Sequence, residues 1–121
     1  MKKTLILVAC AAFAIALAVA ANIPSGKETL TFDAKMGAVT FGHKMHVDKG
    51  VSCTTCHHTS KEGETPQACS SCHDAKVAKD KAPKLQDAMH TSCYGCHEKT
   101  AAAGKKAGPV KKDCKVCHVK A

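Results

Sequence analysis

The chain has 121 residues and carries a formal charge of +8, with eighteen basic residues, all lysine, against ten acidic ones. So basic a chain usually meets something acidic, but the absence of arginine and an export leader argue against nucleic acid as that partner. With three phenylalanines, one tyrosine and no tryptophan beside nine cysteines and eight histidines, side chains alone make a poor core.

Residues 1–20 read as a secretory signal peptide. Lys2 and Lys3 form its basic start, Leu5 to Leu17 its apolar run, and Ala18-Val19-Ala20 a small-residue cleavage site, with cutting expected near Ala20/Ala21. Two rival readings fare worse. Leu7-Val8-Ala9-Cys10 resembles a lipoprotein box but would leave a long apolar run behind the cut, and an uncleaved anchor of about 17 uncharged residues only approaches the length that spans a bilayer. The expectation is an exported, periplasmic protein without stable membrane insertion, residues 21–121 forming one domain with a charge of about +6 once Lys2 and Lys3 are lost.

Most strongly apolar residues leave with the leader, and Phe32, Phe41 and Tyr94 are the remaining aromatics. Ordering a residue's backbone costs roughly 1–2 kcal/mol. A chain this small and this polar therefore needs a staple other than its own side chains.

In chain order, Glu28 to Phe32 and Ala38 to Phe41 alternate with period two around Lys35-Met36-Gly37, which predicts a short two-stranded hairpin. From Gly42 onward a cysteine pair recurs every 15 to 25 residues among turn-rich spacers such as Lys61 to Pro66. Helical patterning is weak: Asp74 to Lys81, Lys84 to His90 and Glu98 to Lys106 are the candidate short helices, and the rest is expected to be loop.

The cysteine pairs are four copies of one signature: Cys53-Thr54-Thr55-Cys56-His57, Cys69-Ser70-Ser71-Cys72-His73, Cys93-Tyr94-Gly95-Cys96-His97 and Cys114-Lys115-Val116-Cys117-His118. One Cys-x-x-Cys-His is weak evidence of c-type haem attachment, but four pairs all followed by histidine would arise by chance about 2 × 10⁻⁵ of the time at this histidine content. Zinc sites have no need of a histidine after every pair. A disulfide framework suits the compartment but leaves the histidines unexplained. The haem reading explains the spacing. Cysteines at i and i+3 reach the two vinyl positions of one porphyrin edge, and the adjacent histidine swings beneath the iron. Four covalently bound haem c groups would then form the core of a small, mainly-α and irregular multihaem cytochrome fold.

With His57, His73, His97 and His118 as proximal ligands, His43, His46, His58 and His90 remain for four sixth positions. Met36, Met45 and Met89 are the other candidates, and choosing one would strand a histidine; they read as packing residues. Adjacent residues cannot straddle one ring, so His58 must turn to a neighbouring haem, most simply the one on Cys69 and Cys72. His43 and His46, three apart, should serve two different haems. His90 lies just before Cys93 and could serve the last haem, tying the third and fourth together. Reach alone does not order His43 and His46.

Phe41-Gly42-His43-Lys44-Met45-His46, then Cys-x-x-Cys-His-His, then Met89-His90 before the third signature, resembles tetrahaem cytochrome c3 of the class III c-type cytochromes, over about residues 28 to 118. The resemblance implies His43 with His57, His58 with His73, His46 with His97, and His90 with His118. Many members of that family space the cysteines of the second and fourth sites by four residues, whereas all four gaps here are two. The related trihaem cytochrome c7 lacks the second site, but Cys69, Cys72, His73 and His58 are all present.

Two imidazoles per iron leave no open position, which points to electron transfer, and imidazole favours ferric iron more than a methionine thioether does. The expected function is a low-potential carrier. Its alternative is a multihaem terminal reductase of metal ions by outer-sphere transfer; a polymer-forming subunit is a third class that nothing in the sequence demands. Lys105, Lys106, Lys111, Lys112, Lys115 and Lys120 around the last signature, with Lys76, Lys79, Lys81 and Lys84 earlier, serve solubility or form a steering face near the fourth haem. The resemblance implies acidic redox proteins as partners, a hydrogenase or a membrane-associated multihaem complex.

Overall fold

The computed structural model describes residues 23–74, 80–110 and 114–120; the leader and most of the helix expected over Asp74 to Lys81 lie outside them. Strands β1 (Leu30–Phe32) and β2 (Ala38–Phe41) pair antiparallel with Leu30 opposite Phe41, Thr31 opposite Thr40 and Phe32 opposite Val39. The alternation places Leu30, Phe32, Val39 and Phe41 half-buried, with Thr31 and Thr40 exposed. Phe32 and Phe41 meet diagonally across the pair, ring centroids 6.3 Å apart.

The expected hairpin is one half of a larger unit. A third strand, β3 (His118–Val119), adds antiparallel to the free edge of β2, with Ala38 opposite Val119 and Val39 opposite His118, giving the order β1-β2-β3. The turn before β2 makes room for it. Gly37 has φ +121°, donates its N–H to Ala34 O at 3.0 Å, and would place a Cβ 2.6 Å from both the carbonyl carbon and oxygen of Val119. Only glycine suits that backbone and that close approach.

Directly after β2, helix α1 (His43–Asp48) is anchored to the chain before β1 by Lys44 N–H donating to Glu28 O at 2.9 Å. Its Lys44–Asp48 ion pair (2.8 Å) is exposed at i, i+4, a contribution of a few tenths of a kcal/mol. Helix α2 (Cys53–Cys56) and a 3-10 turn (Cys69–Ser71) hold the first two signatures, and α4 (Cys114–Cys117) holds the last.

The sequence suggests short helices on either side of the third signature; the structure has one helix, α3 (Leu85–Ala102), running through it. Gly95 inside it costs about 1 kcal/mol relative to alanine, but Cys93, Cys96 and His97 stand at i, i+3 and i+4, a spacing the helix itself provides. α3 stops four residues before the expected end. Gly104, at φ +71°, donates to Ala101 O (2.9 Å) and Lys105 N–H to Thr100 O (3.1 Å), the paired bonds of a left-handed glycine stop.

None of the described residues is buried, apolar or polar. The side chains of the helices and sheet form no buried core among the described residues. That is the packing expected if an apolar group other than a side chain occupies the middle.

Candidate haem centres

Each cysteine signature is one helical turn. In the first, His57 N–H donates to Cys53 O at 2.8 Å, and in the second His73 N–H donates to Cys69 O at 2.9 Å. The turn puts both cysteines and the histidine on one face, two sulfurs beside one imidazole. Of the eight described cysteines, Cys53, Cys56, Cys69, Cys72, Cys93 and Cys96 are exposed free thiols, Cys114 is exposed and Cys117 half-buried. Burial pushes the Cys56 thiol up, helped by Cys96, Cys69 and Cys53, and pushes Cys93 up in the same way, helped by Cys56, Cys117, Cys69 and Cys96. Sulfurs of all four signatures thus lie within electrostatic reach of these two, so the attachment points form one cluster.

The histidines meet in pairs. Ring centroids are 6.3 Å apart for His43 and His57, 6.0 Å for His58 and His73, 6.2 Å for His46 and His97, and 6.1 Å for His90 and His118. A histidine nitrogen bonds a metal at about 2.0 Å, and with each ring centre a little over 1 Å behind its nitrogen, two trans imidazoles should have centroids about 6.3 Å apart. The observed spacings match that geometry. They are too long for direct hydrogen bonding or stacking in contact and leave room for a metal ion between the two rings. Among the described residues no group of three or more His, Cys, Asp or Glu converges to hold a metal, so these are two-point sites. A porphyrin iron, which brings four nitrogens of its own, needs only those two points.

Backbone carbonyls orient the imidazoles. The Nδ1–H of His43 donates to Lys27 O (2.9 Å), of His46 to Gly42 O (2.8 Å), of His73 to Pro83 O (2.8 Å), of His97 to Pro109 O (2.6 Å) and of His118 to Gly37 O (3.0 Å). Each bond fixes the proton on Nδ1, leaves the Nε2 lone pair for the metal, and makes the ring a stronger donor.

Elements and loops share the positioning. α1 carries His43 and His46 to different partners, and Phe41 at its entry lies against both rings, at 5.8 Å and 4.5 Å between centroids. α3 carries His90, stacked on Tyr94 one turn later at 5.0 Å, together with Cys93, Cys96 and His97. β3 brings His118 to the sheet. Gly108, past the end of α3, lies so close to His97 that a Cβ there would stand 2.7 Å from Nε2 and 2.9 Å from Nδ1. The bridging position of Phe41, the carbonyl acceptors and Gly108 are not evident from composition; the Gly108-Pro109 dipeptide beyond a helix stop is the one local signal among them.

Of the sixteen site residues expected from sequence, the eight histidines lie in the four pairs that the resemblance implies, and one cysteine or more of each signature lies within electrostatic reach of Cys56 or Cys93. The class III cytochrome c family model matches residues 17–119. The chain is 32% identical over 103 residues to the 26 kDa cytochrome c3 of Desulfomicrobium norvegicum, covering 78% of this chain and 89% of that one. It is 33% identical over 99 residues to the high-molecular-weight cytochrome c of Nitratidesulfovibrio vulgaris, covering 80% of this chain but 17% of that much longer protein. Among solved structures, the di-tetrahaem cytochrome c3 of Desulfovibrio gigas superposes with a TM-score of 0.61 at 28% identity, covering 75% of this chain and 94% of that one. With its cysteine signatures, few helices and small three-stranded sheet, the chain belongs to the class III cytochrome c family, the multihaem c-type electron carriers.

Proposed function

We propose that the chain is a periplasmic, low-potential electron carrier with four covalently bound c-type haems, each held between two histidines. The observation that carries this reading is the set of four imidazole pairs at 6.0–6.3 Å, each with one member directly following a Cys-x-x-Cys turn. Cys53/Cys56, Cys69/Cys72, Cys93/Cys96 and Cys114/Cys117 would each form two thioethers to one ring. Haem iron, when bound, supplies a one-electron ferric/ferrous couple.

The polypeptide's part is to hold, saturate and tune. The paired histidines would hold each iron from both sides, leaving no position for a small ligand and favouring electron transfer over catalysis. Imidazole in place of thioether lowers the potential, and the five Nδ1–H bonds to carbonyls lower it further by strengthening the donor. The sulfur cluster around Cys56 and Cys93 supports close approach of all four rings, so that electrons entering at one pass readily to the others.

The partners are acidic redox proteins, a hydrogenase as donor and a membrane-associated multihaem complex or terminal acceptor beyond. Lys105, Lys106, Lys115 and Lys120, all exposed, flank or lie within the fourth signature in sequence; Lys111 and Lys112 lie outside the described residues. Such a face steers an acidic partner toward the fourth haem. No helix among the described residues is long and apolar enough to cross a membrane.

A spectroscopic redox titration tests the proposal. Low-spin spectra in both oxidation states, potentials below those of His/Met cytochromes and no change on adding carbon monoxide to the reduced protein are expected. High-spin or carbon monoxide-binding haem in the native protein would overturn it.

A further inference from the structure

The four imidazole pairs are not equivalent. His46 and His97 form the one pair in which both rings donate Nδ1–H to a carbonyl within the described residues, to Gly42 O at 2.8 Å and to Pro109 O at 2.6 Å. In each other pair a single such bond joins a described carbonyl: from His43 at 2.9 Å, from His73 at 2.8 Å and from His118 at 3.0 Å. The Pro109 bond is the shortest of the five. Glycine at 108 permits it, because Gly108 lies against the His97 ring where any side chain would collide with it.

A carbonyl drawing on the Nδ1 proton shifts the imidazole toward imidazolate, a better donor to ferric than to ferrous iron. Two such bonds on one iron act together. We infer that the Gly108-Pro109 strap is a potential-setting device for the third haem, making the centre between His46 and His97 the lowest-potential of the four. This rests on the bis-histidine reading above. In the reduction concerned, one electron from dithionite enters that centre; no bond to either imidazole breaks, and the Nδ1 proton stays on His97. Gly108 and Pro109 are positioning residues that act through His97.

The pair also has a signature by which to recognise it. Its rings are nearly parallel, 19° apart, against 51°, 64° and 84° in the others. Parallel imidazole planes split the iron π-orbitals most, so this centre gives the most rhombic low-spin ferric EPR signal, and the perpendicular pair gives the signal with the largest g value.

The experiment is an EPR-monitored dithionite titration of the mature haem-loaded protein and of a Gly108→Ala variant. In the native protein the most rhombic signal is the last to disappear. In Gly108→Ala it disappears earlier, while the order of the other three is kept. A rhombic signal lost first or midway in the native protein overturns the inference without any variant, as does an unchanged order in a folded Gly108→Ala. Native protein with no low-spin ferric signals would refute the bis-histidine reading itself, a distinct outcome.

Discussion

Replacing Gly37 by alanine tests how the sheet reaches the fourth centre. At φ +121° a non-glycine residue is strained by about 1–3 kcal/mol. The new Cβ would also sit 2.6 Å from the Val119 carbonyl carbon and oxygen, and relieving such overpacking costs about 1–3 kcal/mol more. Gly63 is the control: it too has positive φ, +85°, but a Cβ there meets nothing within 4 Å. Gly63→Ala should therefore lose about 1 kcal/mol and Gly37→Ala about 3 kcal/mol. The difference belongs to β3. Because Gly37 O accepts from His118 Nδ1 at 3.0 Å, Gly37→Ala should also disturb one haem selectively. Guanidinium unfolding followed by far-UV circular dichroism measures the stabilities, and EPR reads the centre with the largest g value. Equal losses for the two variants, or an unaltered fourth-centre signal in Gly37→Ala, would refute the account of how β3 is seated.

On the bis-histidine proposal, His58→Ala would open one position on the haem assigned to Cys69 and Cys72, so the reduced variant should bind carbon monoxide at one haem and the native protein at none; a difference spectrum checks the stoichiometry. Cys69→Ala with Cys72→Ala should lower the pyridine haemochrome absorbance per chain by about a quarter. Since no described residue is buried, the chain made without haem should lack cooperative thermal unfolding and most of the helix of α3 by circular dichroism. Electron transfer to an acidic partner should slow as salt rises, and Lys115→Glu with Lys120→Glu should flatten that dependence; stopped-flow rates at several ionic strengths measure both.

The attachment residues are legible in the sequence because covalent chemistry fixes them locally: Cys53, Cys56 and His57 must lie within one turn, and no tertiary context alters that. The proposed sixth ligands are only partly so. Adjacency forces His58 away from the haem of His57, but nothing in the spacing of His43 and His46 tells which ring each faces; α1 and Phe41 decide it, and the family resemblance supplies the order. α3 reads as two pieces because Gly95 and a cysteine signature look like a turn, although i, i+3, i+4 spacing is itself helical. β3 is two residues long, and its partners Ala38 and Val39 are far away in the chain, so no local pattern marks it. The carbonyls of Lys27, Gly37, Gly42, Pro83 and Pro109 orient histidines through backbone atoms, which every residue possesses and no motif records.

The central claim, four covalent haems filling the space that the polypeptide leaves, is tested most directly by the intact mass of protein purified from an exporting host that matures c-type cytochromes. The account predicts the mass of the chain from about Ala21 plus four haems. A haem-free mass, from a host shown to mature other c-type cytochromes, would contradict it, and a mass with three haems would show that one of the four cysteine pairs does not carry the group assigned to it.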